Sequence, residues 1–147
     1  MEESRIRNLN HTKKLITEGK LKESLFMPLK VHDVMSQEEI KIYQDDELET
    51  AERIMDWEGL KHVCVFDHND ELVGVLNYEN VKKEKKLHLR VRYLMHTDFH
   101  RIYGQLDAQE GLKAVINEPD HCMPVIENQK IIGILSVEDF YFASDFN

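Results

Sequence analysis

The stretch Gly133-Ile134-Leu135-Ser136-Val137-Glu138-Asp139 has a weaker copy, Gly74-Val75-Leu76-Asn77-Tyr78-Glu79-Asn80, about sixty residues upstream. In both, an apolar run suited to a buried strand ends at a small polar residue, and a second polar residue follows three positions later. That pattern predicts a strand feeding a helix N-terminus, where unpaired N–H groups and the positive end of the helix dipole meet two side-chain oxygens. Ser136 and Asp139 can hold a ligand there. They can also simply cap the helix, since S-x-x-D is close to a capping box.

Working outward, the rest of the chain pairs off at the same spacing. Val31-His32-Asp33-Val34-Met35 matches Val91-Arg92-Tyr93-Leu94-Met95, and Ile42-Tyr43 matches Ile102-Tyr103. A helix then follows in each copy, one expected to be capped at Asp46 with Glu49 three on, the other at Asp107 with Glu110. Next come two short strands around a polar turn: Val63–Phe66 and Leu72–Leu76 about His68-Asn69-Asp70, then Met123–Ile126 and Ile131–Leu135 about Asn128-Gln129. Each unit reads β-α-β-β-α, and one such sheet is too small to cover both its faces. The expected fold is therefore α+β, two repeats packed sheet to sheet about a pseudo-two-fold. Residues 1–30 are expected to form an N-terminal helical segment, 31–86 the first repeat and 87–147 the second. The N-terminal segment carries Ile6, Leu9, Leu15, Ile16, Leu21 and Leu25 at helical spacing, broken near Gly19 and closed off by Pro28.

Composition narrows the function. At 147 residues the chain is one domain's worth, and 28 acids against 19 bases give a formal charge of −9, a poor match for nucleic acid. Lys82, Lys83, Lys85, Lys86, His88, Arg90 and Arg92 crowd one linker-like stretch that could meet phosphate, though such a run is commonly a solvated face. No apolar run would span a bilayer, and the N-terminus lacks the apolar core of a signal peptide, so a cytoplasmic location without membrane contact is expected. Cys64 and Cys122 read as reduced core thiols.

The two openings, Ala51-x-x-Ile54-Met55, Met123-Pro124-Val125 and Gly133-Ile-Leu-Ser136-x-x-Asp139 together resemble a tandem pair of cystathionine-β-synthase-type (CBS) domains, a Bateman module, over residues about 31 to 143. The resemblance implies a regulatory, non-catalytic module that binds an adenosine-containing ligand (AMP, ADP, ATP or S-adenosylmethionine) between repeats, with no cofactor and usually as a flat homodimer. Carried onto this chain, Asp139 would hold the ribose, Ser136 would lie near phosphate or a polar tail, and Met123 and Pro124 beside the base. His96, Thr97, Asp98 and Phe99 would supply the opposite wall. A carboxylate suits a vicinal diol because it only accepts hydrogen bonds. The first repeat departs from the pattern: Asn77 and Asn80 replace the hydroxyl residue and the aspartate, and Cys64, after Val63, takes the place of the proline. A weak, empty or specialised second site is expected there. No basic residue follows Asp139, which favours adenosine, a thioether relative or S-adenosylmethionine over ATP.

Other chemistry finds little support. His96-x-x-x-His100 has a zinc-like spacing only on a helix, and loop running into strand is expected there. No G-x-S-x-G elbow or glycine-rich phosphate loop is present, so an enzyme is not expected. Phe140, Tyr141, Phe142 and Phe146 read as an amphipathic last turn covering a core edge or subunit contact. Occupancy would pass to a protein partner through a surface, the N-terminal segment first. The alternative is a ligand-free dimerisation or scaffolding module in which Ser136 and Asp139 only cap a helix.

Overall fold

The structure is a computed structural model that describes residues 29–37 and 40–144, with the side chains of 141–144 outside that description. The expected N-terminal helix therefore lies outside it, as do the side chains of Tyr141, Phe142 and Phe146. The elements, in order, are α1 (Val31–Val34), β1 (Ser36–Gln37), β2 (Ile42–Tyr43), α2 (Leu48–Glu58), β3 (His62–Phe66), β4 (Leu72–Asn77) and α3 (Tyr78–Lys83). A 3-10 turn (Val91–Tyr93) leads into β5 (Ile102–Tyr103), α4 (Ala108–Ile116), β6 (Cys122–Glu127), β7 (Lys130–Ser136) and α5 (Val137–Ser144). Both repeats thus run strand, helix, strand, strand, helix.

Apolar spacing decides the helices. In α2, Leu48, Ala51 and Met55 fall on one buried face, and Gly59, at φ 68, ends the helix in the left-handed conformation that a residue with a Cβ adopts at a cost. Its N-terminal boundary differs by one residue from the sequence expectation. Glu47 is the N-cap, because the Asp46 carboxylate turns back to accept from the Tyr43 N–H at 2.9 Å. Asp107 is the N-cap of α4 as expected, but its carboxylate takes Lys30 Nζ at 3.2 Å. The β6–β7 hairpin turns through Asn128 and Gln129 at φ 51 and 65, which matches the primed turns that follow strand twist.

The two sheets do not each belong to one repeat. The strand orders are β2-β3-β4 and β1-β7-β6-β5, so β1, from the start of the first repeat, edges the second repeat's sheet. Ser36 lies opposite Ile134 and Gln37 opposite Gly133. The second repeat returns the exchange, with His96 bridging to Val75 on β4. Backbone donors follow the same symmetry: Val31 and His32 N–H reach the carbonyls of Leu106 and Gly104, and Val91 and Arg92 N–H reach those of Asp46 and Gln44. Burial drives the swap. Val31, Val34 and Met35 complete a core with Val115, Val125 and Leu135, while Val91, Leu94 and Met95 complete one with Leu48, Met55 and Leu76.

The sheets meet through a third cluster, Cys64, Phe66, Val75, Cys122 and Ile134. Both thiols are buried there and neither is in a disulfide. No helix among the described residues is long and apolar enough to cross a membrane.

Candidate functional site

Each sheet delivers its last strand to the start of a helix, which gives two related mouths. At the second-repeat mouth, β7 ends at Ser136, 8 % exposed, and its backbone N–H donates to Asp139 Oδ2 at 2.9 Å. This is the reciprocal half of a capping box. Asp139 Oδ1 accepts from the Ser36 hydroxyl at 2.9 Å. The carboxylate is thus held between its own repeat and the exchanged segment of the other. Pro124, Ile134 and Ser36 are in register across the sheet, and Met123, opposite Leu135, is buried beside Pro124.

At the first-repeat mouth, Asn77 caps α3, its side-chain oxygen accepting from the N–H groups of Glu79 at 2.8 Å and Asn80 at 3.4 Å. Its amide nitrogen lies 3.4 Å from His62 Nε2. Asn80 Nδ2 lies 3.4 Å from His96 Nε2, and His96 Nδ1 lies 2.5 Å from Asp120 Oδ2. Cys64, Val75 and His96 form the row that corresponds to Pro124, Ile134 and Ser36. Val63 and Cys64 are themselves fully buried, one in the helix-side core and the other between the sheets.

The structure therefore redistributes the expected wall. His96 stands against Asn80 of the first repeat, whereas the position facing Asp139 is taken by Ser36. The physical reason is the exchange itself, which lays each segment that follows an opening methionine on the opposite repeat's sheet. Thr97 and Asp98 are exposed, and Phe99 is half-buried against the sheet-to-sheet cluster with the Arg101 guanidinium 5.8 Å from its ring centre. Ser36 was missed by sequence reasoning. The sixty-residue spacing makes it the counterpart of His96, but nothing local tells which sheet each will join.

Between the mouths lies a cleft of about 220 Å³. Lys61 and His121 occupy equivalent positions on its walls, as do Glu79 and Glu138, so the cleft straddles the pseudo-two-fold axis; His62, Asn77, Tyr78 and Asp120 complete it. Burial pushes the His62 imidazole down from its ordinary value, and Glu138, Asp120 and Glu79 oppose that by attracting the charged form. The ring also bonds the Asp120 backbone. His121 sits at φ 55, a left-handed conformation that histidine adopts more readily than most side chains.

The remaining candidates disperse. Among the described residues no three His, Cys, Asp or Glu side chains gather as a metal site. His100 pairs instead with Glu118, at 2.7 Å. The basic stretch is partly engaged locally: Lys82 bonds Asp56, Arg92 bonds the Asp45 carboxylate and Arg90 the Asp45 carbonyl. Phe140 packs against the second-repeat core.

The CBS domain family model matches residues 31–86 and 91–145. Among solved structures, the chain is similar to a CBS-domain-containing protein of Agrobacterium tumefaciens, 18% identical, covering 81% of this chain and 97% of that one at a TM-score of 0.70. It is also similar to a CBS domain pair in complex with 5′-methylthioadenosine and S-adenosyl-L-methionine, 16% identical over 78% of this chain and 94% of that one, TM-score 0.68. A third is CBSX2 of Arabidopsis thaliana in complex with AMP, 18% identical over 79% and 96%, TM-score 0.65. A curated relative, inosine-5′-monophosphate dehydrogenase of Methanocaldococcus jannaschii, is 22% identical over 111 residues, which are 75% of this chain and only 22% of that enzyme. The duplicated β-α-β-β-α unit, its exchanged openings and the two matched segments lead to one conclusion: this chain belongs to the CBS domain family and carries two CBS domains in tandem.

Proposed function

We propose that the chain is a regulatory module that senses an adenosine-containing metabolite, bound chiefly at the second-repeat mouth by Asp139, Ser136 and Ser36, with Met123 and Pro124 as the apolar floor. The observation that carries this reading is the Asp139 carboxylate, an acceptor suited to a sugar diol, held at a seam that both repeats build. Solved relatives with the same fold hold 5′-methylthioadenosine, S-adenosylmethionine or AMP.

The charge of the neighbouring cleft narrows the ligand class. Glu79, Asp120 and Glu138 face a single lysine, Lys61, so a polyphosphate would meet net repulsion and a neutral or cationic tail would not. Its 220 Å³ is also below the usual size of a small-molecule site, so it suits a tail rather than a whole nucleotide. A ligand bridging the repeats biases their arrangement only by its difference in affinity for the alternatives. The output is a surface. Trp57, 88 % exposed, and Ile116, 51 % exposed, near the ends of the equivalent helices α2 and α4, offer apolar contact to a second copy or a protein partner in the cytoplasm.

One observation favours a second reading. Asp139 makes the bond that a purely structural cap would make, which is what a ligand-free scaffolding pair would require. Thermal shifts with 5′-methylthioadenosine, S-adenosylmethionine, adenosine, AMP and ATP separate the two. A ligand at a hundredfold its dissociation constant adds ~2.7 kcal/mol of stability, and Asp139→Asn should abolish that gain. No shift with any of the five compounds would leave the scaffolding reading.

A further inference from the structure

We infer that His96 is a built-in plug at the first-repeat mouth, filling the place a ligand would take beside Asn80, so that each chain binds one ligand and not two. The inference rests on the reading above that the mouths are ligand sites.

Ser36 and His96 follow the two opening methionines, lie on the edge of opposite sheets and reach the polar residue one turn into the last helix of that sheet, Asp139 and Asn80 respectively. At the second-repeat mouth that reach is a hydroxyl. At the first it is an imidazole, a planar ring with a polar atom on each side, and both nitrogens are engaged: Nε2 with Asn80 and Nδ1 with Asp120.

A neutral ring protonated on Nδ1 satisfies both contacts, donating to the Asp120 carboxylate and accepting from the Asn80 amide. Asn80 can make that donation, and an aspartate there could not, so the departure from the carboxylate pattern and the presence of the histidine explain each other. The partner on the far side is equally specific. Asp120, whose side chain is 12 % exposed, has Leu60 at its equivalent position in the first repeat, so nothing comparable could hold a ring on the other mouth.

The plug also spans the seam. Asn80 is on the first repeat and Asp120 on the second, and the Asp120 backbone bonds the His62 ring that in turn meets Asn77. His96 thereby joins the repeats by a contact that a bound ligand would otherwise have to supply.

Isothermal titration with 5′-methylthioadenosine of the wild-type chain, His96→Ser and the double variant His96→Ser/Asn80→Asp tests this. We expect one site per chain in the wild type and two in the double variant, and one in the double variant once Asp139→Ala is added. Two sites in the wild type, or one site in the wild type and still only one in a folded double variant, overturn the inference. No site in the wild type but one in the double variant removes the second-repeat assignment and leaves the plug standing; none in either removes both. Circular dichroism confirms folding, and His96→Gln, which keeps bulk and hydrogen bonding, should remain at one site if the plug acts by occupancy.

Discussion

Replacing Gly133 by alanine should damage both the exchange of segments and the Asp139 contact, while the same change at Gly74 should be mild. Gly133 lies on β7 opposite Gln37, and a Cβ built there falls 2.4 Å from the Ser36 carbonyl oxygen and 3.0 Å from Met35 Sδ. Reaching an ordinary 3.4 Å contact requires β1 to retreat by about 1 Å. Strand β1 has only two paired residues, so that displacement forfeits roughly two hydrogen bonds at about 1 kcal/mol each. Crowding of Met35 in the core adds about 1–3 kcal/mol. The loss of unfolded-state entropy on Gly→Ala offsets about 0.4–1 kcal/mol of this, leaving a net cost of roughly 2–5 kcal/mol.

At Gly74 the close atoms are Met95 Sδ at 2.7 Å and Cγ at 2.9 Å, the movable part of an unbranched side chain, with the His96 carbonyl at 3.1 Å. An off-rotamer methionine costs about 0.5–1.5 kcal/mol, so Gly74→Ala should come out within about 1 kcal/mol of wild type. Urea unfolding followed by circular dichroism measures both. Equal effects, or a Gly133→Ala chain as stable as wild type, would refute the claim that β1 is clamped against β7.

Further outcomes follow from other parts of the molecule. His62 is held below its ordinary value by burial, so the unfolded chain takes up a proton before the folded one does; stability is complete above about pH 6.5 and falls as pH drops below it. Urea titrations at pH 7.5 and pH 5.5 should show a smaller acid loss in His62→Gln than in wild type, with Lys61, Glu79, Asp120, His121 and Glu138 unchanged around it. Gln129 sits at φ 65 in a two-residue turn, so Gln129→Gly should raise stability by about 0.5–1 kcal/mol, seen as a higher melting temperature. Leu135, fully buried, should lose about 2–5 kcal/mol on conversion to alanine, whereas Trp57→Ala, at an exposed position, should stay within about 0.5 kcal/mol in dilute urea unfolding.

The fold was legible because burial writes a period into the residues that do it. Val63–Phe66 and Met123–Ile126 read as buried strands, and the polar pairs Asn69-Asp70 and Asn128-Gln129 as turns, since each rests on local chemistry. What the sequence could not reveal is the exchange. Val31-x-x-Val34-Met35 and Val91-x-x-Leu94-Met95 are nearly interchangeable apolar openings, and either could complete either core by composition. Nothing local distinguishes them, and so the wall facing Asp139, expected from His96, Thr97, Asp98 and Phe99, holds Ser36 instead. The Asp46 cap failed for a smaller reason of the same kind: two adjacent acids, Asp46 and Glu47, compete, and the turn at Tyr43 takes the first.

The exchange also sets the scale of any signal the module can send. The Ser36 backbone can move relative to Asp139 only if β1 moves along β7, and β1 is continuous with Val34 and Met35, which are packed in the second-repeat core. A ligand that shifts the β1 backbone at this seam therefore works against about two strand hydrogen bonds, roughly 2 kcal/mol, before the core itself resists. That corresponds to a change in affinity of about thirtyfold between the arrangements, within the range typical of coupled sites. At the first-repeat mouth the corresponding segment is pinned further by the His96 contacts to Asn80 and Asp120, so displacement there must overcome a second anchor. The serine and the histidine at equivalent positions thus hold the two mouths by different contacts, one to Asp139 against two to Asn80 and Asp120, in a protein whose two halves share one fold.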